Sequence, residues 1–279
     1  MIKLLGRGER GKALEVLLAD CEIDRENARF CIDKSDKVLC CEVNGQIAGC
    51  GTFRLWGKER TRADAYLYVR PERRGSGLGK AVLEALTQES GNLEFISTRV
   101  ETDSEQSLRF FQKAGFEPWY TELILRYEGS RPQDGNLELT TYTTELFERY
   151  VEALRISFYE MRRSNDFKPY LCCEPDEAKA RELEERKDSI LVLMDGEKLA
   201  ASIIVGEGYL DDFFVSPGCQ GQGLGRQMLC AALGKSFDNG YPHPSLSAIE
   251  WNKRALSLYF SLGFQVEKRV NFLRLSGSL

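Results

Sequence analysis

Two glycine-rich turns of one form stand 146 residues apart, from Gly75 to Gly221. Val69-Arg70-Pro71 leads through Glu72-Arg73-Arg74 into Gly75-Ser76-Gly77-Leu78-Gly79. Val215-Ser216-Pro217 leads through Gly218-Cys219-Gln220 into Gly221-Gln222-Gly223-Leu224-Gly225. The likeness runs on past the glycines. Leu78, Val82, Ala85 and Leu86 are mirrored by Leu224, Met228, Ala231 and Ala232, the spacing of one apolar helix face. Leu108, Phe110, Phe111, Gly115 and Phe116 are mirrored by Leu256, Leu258, Tyr259, Gly263 and Phe264. A solenoid unit is only about 20–50 residues long, so this period marks a duplicated domain. The length of 279 residues also suits two domains of roughly 100–200 residues each.

Each glycine turn follows a hairpin signal. Val38 to Val43 runs into Asn44-Gly45 and then Ile47-Ala48; Ile190 to Met194 runs into Asp195-Gly196 and then Leu199 to Val205. Asn-Gly and Asp-Gly favour the tight turns that join antiparallel strands. Between the copies, Glu128-Gly129-Ser130-Arg131-Pro132-Gln133-Asp134-Gly135 is polar, carries Gly and Pro, and has no periodicity, so it reads as a linker. The expected division is therefore 1–128, a linker at 129–135, and 136–279. Each half reads as α/β, a mixed and mostly antiparallel sheet flanked by helices. Glu174 to Asp188 is a charge-rich helix candidate, read as a solvated face.

Composition narrows the chemistry. A net charge of −5 with well-mixed signs argues against nucleic acid and against a polybasic membrane anchor. Met1 to Arg10 has a short apolar stretch followed by Arg7, Glu9 and Arg10, unlike a signal peptide or a membrane span. Nine cysteines, with adjacent pairs at Cys40-Cys41 and Cys172-Cys173, show no zinc-site spacing, and His243 is the single histidine. The expectation is no metal, free thiols and a reducing cytoplasm.

A strand, a glycine turn and a helix together make an anion site. Unpaired backbone N–H groups point outward from the helix start, and the helix dipole favours negative charge. A Walker loop needs G-x-x-x-x-G-K-[ST], but Gly79-Lys80 is followed by Ala81 and Gly225 by Arg226. A dinucleotide fingerprint needs G-x-G-x-x-G, whereas both copies are G-x-G-x-G. What the two turns resemble is the GNAT superfamily of N-acetyltransferases, whose pattern [QR]-x-x-G-x-[GA] stands here as Arg74 to Gly79 and Gln220 to Gly225.

The resemblance implies two tandem GNAT-like domains with acetyl-CoA as co-substrate. Backbone amides of Arg74, Gly75, Ser76, Gly77, Leu78, Gly79 and Lys80, and of Gln220, Gly221, Gln222, Gly223, Leu224, Gly225 and Arg226, would hold the coenzyme pyrophosphate. The strand ends at Val69, and at Phe214 and Val215, would flank the thioester and pantetheine. The C-terminal copy also carries the family's later helix pattern, N-x-x-A-x-x-x-Y-x-x-x-G-F, as Asn252, Ala255, Tyr259, Gly263 and Phe264. By resemblance, Asn252 would contact the pantetheine arm or adjacent backbone, and Tyr259 would protonate the leaving thiolate, which suits a phenol. The N-terminal copy has Ser104, Ser107 and Phe111 at the Asn, Ala and Tyr positions. It keeps the anion loop and lacks the proton donor.

The implied function is direct acetyl transfer to a primary amine in the C-terminal half, the acceptor being a small molecule or a peptide. Candidate bases are Asp211 and Asp212, with Glu207 and Glu250 nearby. Strand alternation would point Asp211 and Asp212 to opposite faces unless a bulge intervenes, and Asp212 is favoured. His243 reads as a loop residue, Trp251 as a packed aromatic or pocket wall, and Arg162-Arg163 as an exposed helix face. Alternatives are a non-catalytic acyl-CoA-binding or sensing protein, and an acyltransferase using another acyl-CoA or a hydroxyl acceptor. The sequence leaves the acceptor open, and monomer and homodimer are equally compatible with it.

Overall fold

The computed structural model describes residues 1–18, 25–57, 59–88, 93–102, 104–133 and 137–276. The chain divides into two compact units: Met1–Thr121 together with the chain from Val270, and Glu122–Arg269.

In unit 1 the strands β1 (Ile2–Leu4), β2 (Lys37–Val43), β3 (Gln46–Trp56), β4 (Arg62–Val69) and β5 (Phe95–Glu101) lie side by side in that order. All neighbours are antiparallel except β4 and β5. The β2–β3 hairpin turns on Asn44 and Gly45, both at positive φ (52° and 75°), as a tight primed turn requires. Helices α1 (Arg10–Leu18) and α2 (Arg25–Asp33) cover one face, where Ala13, Ala28 and Ile32 pack on Val38, Cys40 and Cys50. Helices α3 (Leu78–Thr87) and α4 (Glu105–Lys113) cover the other, where Val82, Leu83, Leu86 and Phe111 pack on Phe53, Ala63, Ala65 and Ile96.

In unit 2 a four-stranded antiparallel sheet runs β10 (Leu210–Val215), β9 (Lys198–Val205), β8 (Ile190–Asp195), β7 (Leu139–Thr141). Helices α5 (Phe147–Ser164) and α6 (Glu177–Glu185) bring Tyr150, Leu154 and Leu183 to one face. Helices α7 (Leu224–Asp238) and α8 (Lys253–Leu262) bring Met228, Leu229, Leu233, Leu256 and Tyr259 to the other. A single parallel bridge, Tyr209 to Ser245, leads to β11 (Ser245–Ile249).

The closing strands depart from the sequence division. β6 (Glu117–Tyr127) leaves unit 1 at Thr121, and its residues Glu122 to Arg126 pair with β11 inside unit 2. β12 (Phe264–Ser276) begins in unit 2, and its residues Val270 to Ser276 pair antiparallel with β5 inside unit 1. There Thr121 Oγ1 donates to Asn271 Oδ1 at 3.0 Å, and Tyr120 stacks on Phe272 at 4.3 Å. The sequence boundary at 129–135 marks the repeat, whereas compactness divides the chain within β6 and β12. Alternation gives each strand's faces but not its partner. In the expected linker, Tyr127 Oη donates to the Ser130 carbonyl at 2.7 Å and Arg131 pairs with Asp238; Asp134 and Gly135 lie outside the described residues.

Gly51 of β3 lies directly beneath α3. A Cβ built there would sit 2.6 Å from Val82 and 2.8 Å from Leu86. Gly51→Ala should therefore destabilise unit 1 by about 1–3 kcal/mol, the usual cost of overpacking. A denaturant midpoint equal to wild type would contradict that packing.

Candidate functional site

Each glycine turn follows a short 3-10 turn, Pro71–Arg73 or Pro217–Cys219, and opens a helix. Gly75 and Gly77 have φ of 76° and 85°; Gly221 and Gly223 have 83° and 79°. Side chains are strained there, and a Cβ at any of the four would meet nothing within 4 Å. These glycines serve backbone shape and open approach, not packing. Gly79 and Gly225 differ. A Cβ at Gly79 would touch Phe110 at 3.4 Å, and one at Gly225 would touch Leu258 at 3.4 Å and Val215 at 3.6 Å, so each seats its helix against the later helix and the strand end. Leu78 and Leu224 pack on the two cores.

The residue that opens each motif has one job in both copies. Arg74 Nε donates to the Val69 carbonyl at 3.1 Å, and Gln220 Nε2 donates to the Val215 carbonyl at 2.9 Å. Each side chain folds back and ties the turn to the strand end. Arg254 also donates to Gln220 Oε1 at 2.5 Å. Ser76 Oγ donates to the Arg73 carbonyl at 2.6 Å, and Gln222 is exposed. Lys80 pairs with Glu84 at 3.7 Å, and Arg226 donates to Ser261 at 3.0 Å. No acidic residue stands in the first turn of α3 or α7, leaving their dipoles unopposed.

Beside each turn a parallel strand pair opens. β4 and β5 pair only from Arg62↔Phe95 to Asp64↔Ser97; beyond that they diverge and release backbone groups. In unit 1 the gap is part of a cavity of about 860 Å³ lined by Leu67, Val69, Gly75, Gly77, Arg99 and Phe111, among others.

In unit 2, β10 carries a bulge. Asp211 pairs with Ile204 and Phe214 with Ser202, so three steps on one strand match two on the other. Asp212 sits at φ 42°, an uncommon conformation for a side-chain-bearing residue. The bulge allowed for in the sequence is present, and its extra residue shifts the alternation by one. Asp211 and Asp212 do not point to opposite faces; both reach the α6 segment. The guanidinium of Arg186 lies 3.4 Å from Asp211 Oδ2, and Lys179 Nζ lies 3.6 Å from Asp212 Oδ2. Phe214 points away from α7 and is buried against Tyr150 (ring centroids 5.8 Å). Phe213 takes the α7 side, near Gly225 and 6.3 Å from Tyr259. Simple alternation hides Phe213 because the bulge shifts the phase by one residue.

Burial pushes the Asp212 carboxyl above the usual carboxylate range; the Asp211 charge adds to this and Lys179 opposes it. Asp211 Oδ1 also accepts the Asp212 backbone N–H at 2.9 Å. Two neighbouring acids thus have different surroundings, one a partly buried carboxyl beside an ammonium and one half-exposed and held by a guanidinium. The charged α6 segment is more than a solvated face: Leu183 is buried, and Lys179 and Arg186 hold these acids. Neither lysine nor arginine has a motif that marks it in sequence.

Asn252 is the N-cap of α8, its Oδ1 accepting the Ala255 N–H at 3.2 Å. Tyr259 lies one face further along α8, buried between Phe213 and Phe264, and burial holds its phenol protonated well above the usual range. Glu250 is paired with Arg269 at 3.0 Å, and Glu207 is exposed. His243 Nδ1 lies 2.9 Å from the Tyr127 carbonyl, in a loop. Trp251 meets Phe167 edge to face at 6.4 Å; Arg162 lies over that Phe167 ring at 4.2 Å and Arg163 pairs with Glu160. Among the described residues no group of three or more His, Cys, Asp or Glu could hold a metal ion, and no helix is long and apolar enough to cross a membrane.

Residues 10–116 and 155–264 each match the family described as Acetyltransferase (GNAT) family. The chain is 39% identical over 57 residues to the thialysine N-epsilon-acetyltransferase of Bos taurus, covering 20% of this chain and 34% of that enzyme. It is 36% identical over 55 residues to the Sus scrofa enzyme of the same name, covering 20% and 32%. The chain thus matches about a third of the length of these relatives. Among solved structures, the GCN5-related N-acetyltransferase from Sphaerobacter thermophilus superposes with a TM-score of 0.75 at 16% identity, covering 99% of this chain and 95% of that one. A tandem GNAT protein from the clavulanic acid biosynthesis pathway superposes with a TM-score of 0.67 at 15% identity, covering 99% and 98%.

The cap on α8 can be checked without a ligand. Asn252→Ala should lower stability by about 0.5–2 kcal/mol, while Asn252→Asp, which still accepts the Ala255 N–H, should keep most of it. Chemical denaturation separates the two; equal losses would remove the capping role.

Proposed function

Because this chain belongs to the acetyltransferase (GNAT) family and is an acyltransferase, we propose that it transfers acetyl from acetyl-CoA directly to a primary amine, with the reaction in unit 2. The observation that carries this reading is the set of three parts that β10 carries or adjoins on its two faces. They are the open cradle at Gly221 and Gly223, the buried phenol of Tyr259 on the capped helix α8, and the partly buried carboxyl of Asp212 on the bulge. The fit for coenzyme A rests on the same cradle: positive-φ glycines with open space above them and no acid in the first helical turn. The bovine and porcine relatives are named for acetylation at an N-epsilon position, in keeping with a nitrogen acceptor.

The residues then divide the work. Backbone N–H groups from Gly221 to Arg226 bind the pyrophosphate, and strand backbone from Phe213 to Val215 orients the pantetheine and thioester. Asp212 takes the proton from the amine as it attacks the thioester carbonyl. Its raised pKa brings it nearer to that of a useful base at neutral pH. Lys179 holds its carboxylate in place. Asp211, held by Arg186, stands beside Asp212 and attracts a cationic amine. Tyr259 gives its proton to the departing thiolate. The N-terminal half keeps its glycine turn and has Phe111 in place of the phenol, so it binds coenzyme without completing transfer. The described cysteines of both units are thiols outside any disulfide, in keeping with a cytoplasmic setting.

Tyr259→Phe should lower kcat by roughly 10²–10⁴-fold and leave the acetyl-CoA dissociation constant unchanged by calorimetry. An unchanged kcat would remove Tyr259 from the proton path. The base has its own signature. Asp212 must be ionised to act, so kcat/KM should fall as pH drops through its raised pKa, above the ordinary aspartate range near ~4. Asp212→Asn should abolish this limb along with most of the rate; a limb that persists in the variant would belong to another group.

A further inference from the structure

Two adjacent thiols of unit 2 take no part in the proposed transfer. Cys172 and Cys173 lie between α5 and α6, where residues 171–175 belong to no helix or strand. Neighbours on an extended chain point to opposite sides, yet both side chains pack against one core cluster, that of Tyr150, Leu154 and Leu183. The Cys172 sulfur lies 3.9 Å from the Leu154 carbonyl and shares a hydrogen bond with the Cys173 sulfur. Both cysteines remain partly exposed, whereas Cys31, Cys40, Cys41, Cys50 and Cys219 are buried.

The groups around the pair favour one thiolate. The hydrogen bond from Cys172 holds the Cys173 thiol below its usual range; burial and Asp212 oppose this, and Lys179 of α6 and Arg155 of α5 assist it. The same bond and burial hold Cys172 above that range. Elsewhere burial pushes the Cys31 thiol up to about 11 and Cys50 up to about 12. A partly exposed thiolate with a second thiol beside it has the layout of an attacking and a resolving cysteine. Its ammonium neighbour is shared, since Lys179 Nζ also lies 3.6 Å from Asp212 Oδ2.

We propose that Cys172 and Cys173 are a redox-modification site whose vicinal disulfide, formed with a small-molecule disulfide as oxidant, slows acetyl transfer by shifting Lys179 from Asp212. Cys173 attacks one sulfur of the oxidant, forming a mixed disulfide and expelling one thiolate. Cys172 then loses its proton and attacks the Cys173 sulfur; the second small-molecule sulfur leaves and takes up that proton. Two protein thiols are oxidised and one disulfide is reduced to two small thiols. Adjacent Cα atoms stand about 3.8 Å apart, closer than the usual disulfide separation of about 4.4–6.8 Å. The bond is therefore strained and readily reduced, and closing it must move the flanking backbone. Three residues on, Asp176 caps α6, its Oδ1 accepting the Lys179 N–H at 2.9 Å, so the movement reaches Lys179. The coupling to activity rests on the reading of Asp212 as base; the thiol chemistry does not.

The test equilibrates the full chain with reduced and oxidised glutathione, quenches it in acid, alkylates the remaining thiols and weighs the peptides. In excess oxidised glutathione the peptide holding both cysteines should lose two hydrogens and take no alkyl group, while Cys31, Cys40 and Cys50 stay alkylated. Cys172→Ser should stop at a Cys173–glutathione adduct, and Cys173→Ser should give neither product. Lys179→Met should slow iodoacetamide alkylation of Cys173 in the native chain at neutral pH by about tenfold, the effect of one pKa unit. Oxidation should lower kcat about tenfold or more with the acetyl-CoA dissociation constant unchanged, and dithiothreitol should restore it. The double variant Cys172→Ser, Cys173→Ser should show no such response. A pair that stays reduced in excess oxidised glutathione would overturn the site. A vicinal disulfide that forms with kcat unchanged would overturn its coupling to Asp212. A reduced chain that transfers no acetyl would remove the reading of unit 2, and the peptide masses would still decide the thiol chemistry.

Discussion

The feature on which both units depend is a parallel strand pair that stops early. β4 and β5 share three residue pairs, and the corresponding strands of unit 2 share one bridge, Tyr209 to Ser245. A sheet that stayed paired to its end would satisfy its own backbone and leave nothing for a ligand. Once the strands part, N–H and C=O groups face a gap, and the helix that follows the glycine turn aims its own free N–H groups at the same place. The turn must be glycine because a side-chain-bearing residue would resist the positive φ at Gly75, Gly77, Gly221 and Gly223. The hydrophobic cores on each face hold the sheet open in that shape.

The two copies share this frame and differ in what fills it. Unit 2 adds the bulge at Asp212, two acids with separate cationic partners, and a buried phenol. Unit 1 has an unbroken β3–β4 register and a phenylalanine in the phenol's position. The two copies thus differ in a few side chains on one scaffold, and function resides in the site and not in the fold.

Much of this was legible in the chain. The glycine turns, the hairpins and the helix carrying Asn252 and Tyr259 announce themselves because each depends on local rules: turn chemistry, caps and periodicity. Even the Arg74 and Gln220 positions have a local reason, since both tie the turn to its own strand end. What was hidden depends on pairing or phase. The bulge moved Phe213 into the place expected of Phe214 and set Asp211 and Asp212 toward α6 together. Lys179 and Arg186 looked like surface charge because their partners lie far along the sequence.

The exchange of closing strands also bears on how the protein is made. The last strand of unit 1 is built from Val270 to Ser276, and Thr121 meets Asn271 across 150 residues of sequence. Synthesis proceeds from the N-terminus at about 5–20 residues per second, so β5 waits unpaired on that edge while the whole second half is made. Unit 1, made before unit 2, thus cannot close until the residues from Val270 follow it. An unfinished edge is an invitation to pair with other chains, and a nascent chain of this kind relies on Val270 to Ser276 to withdraw it.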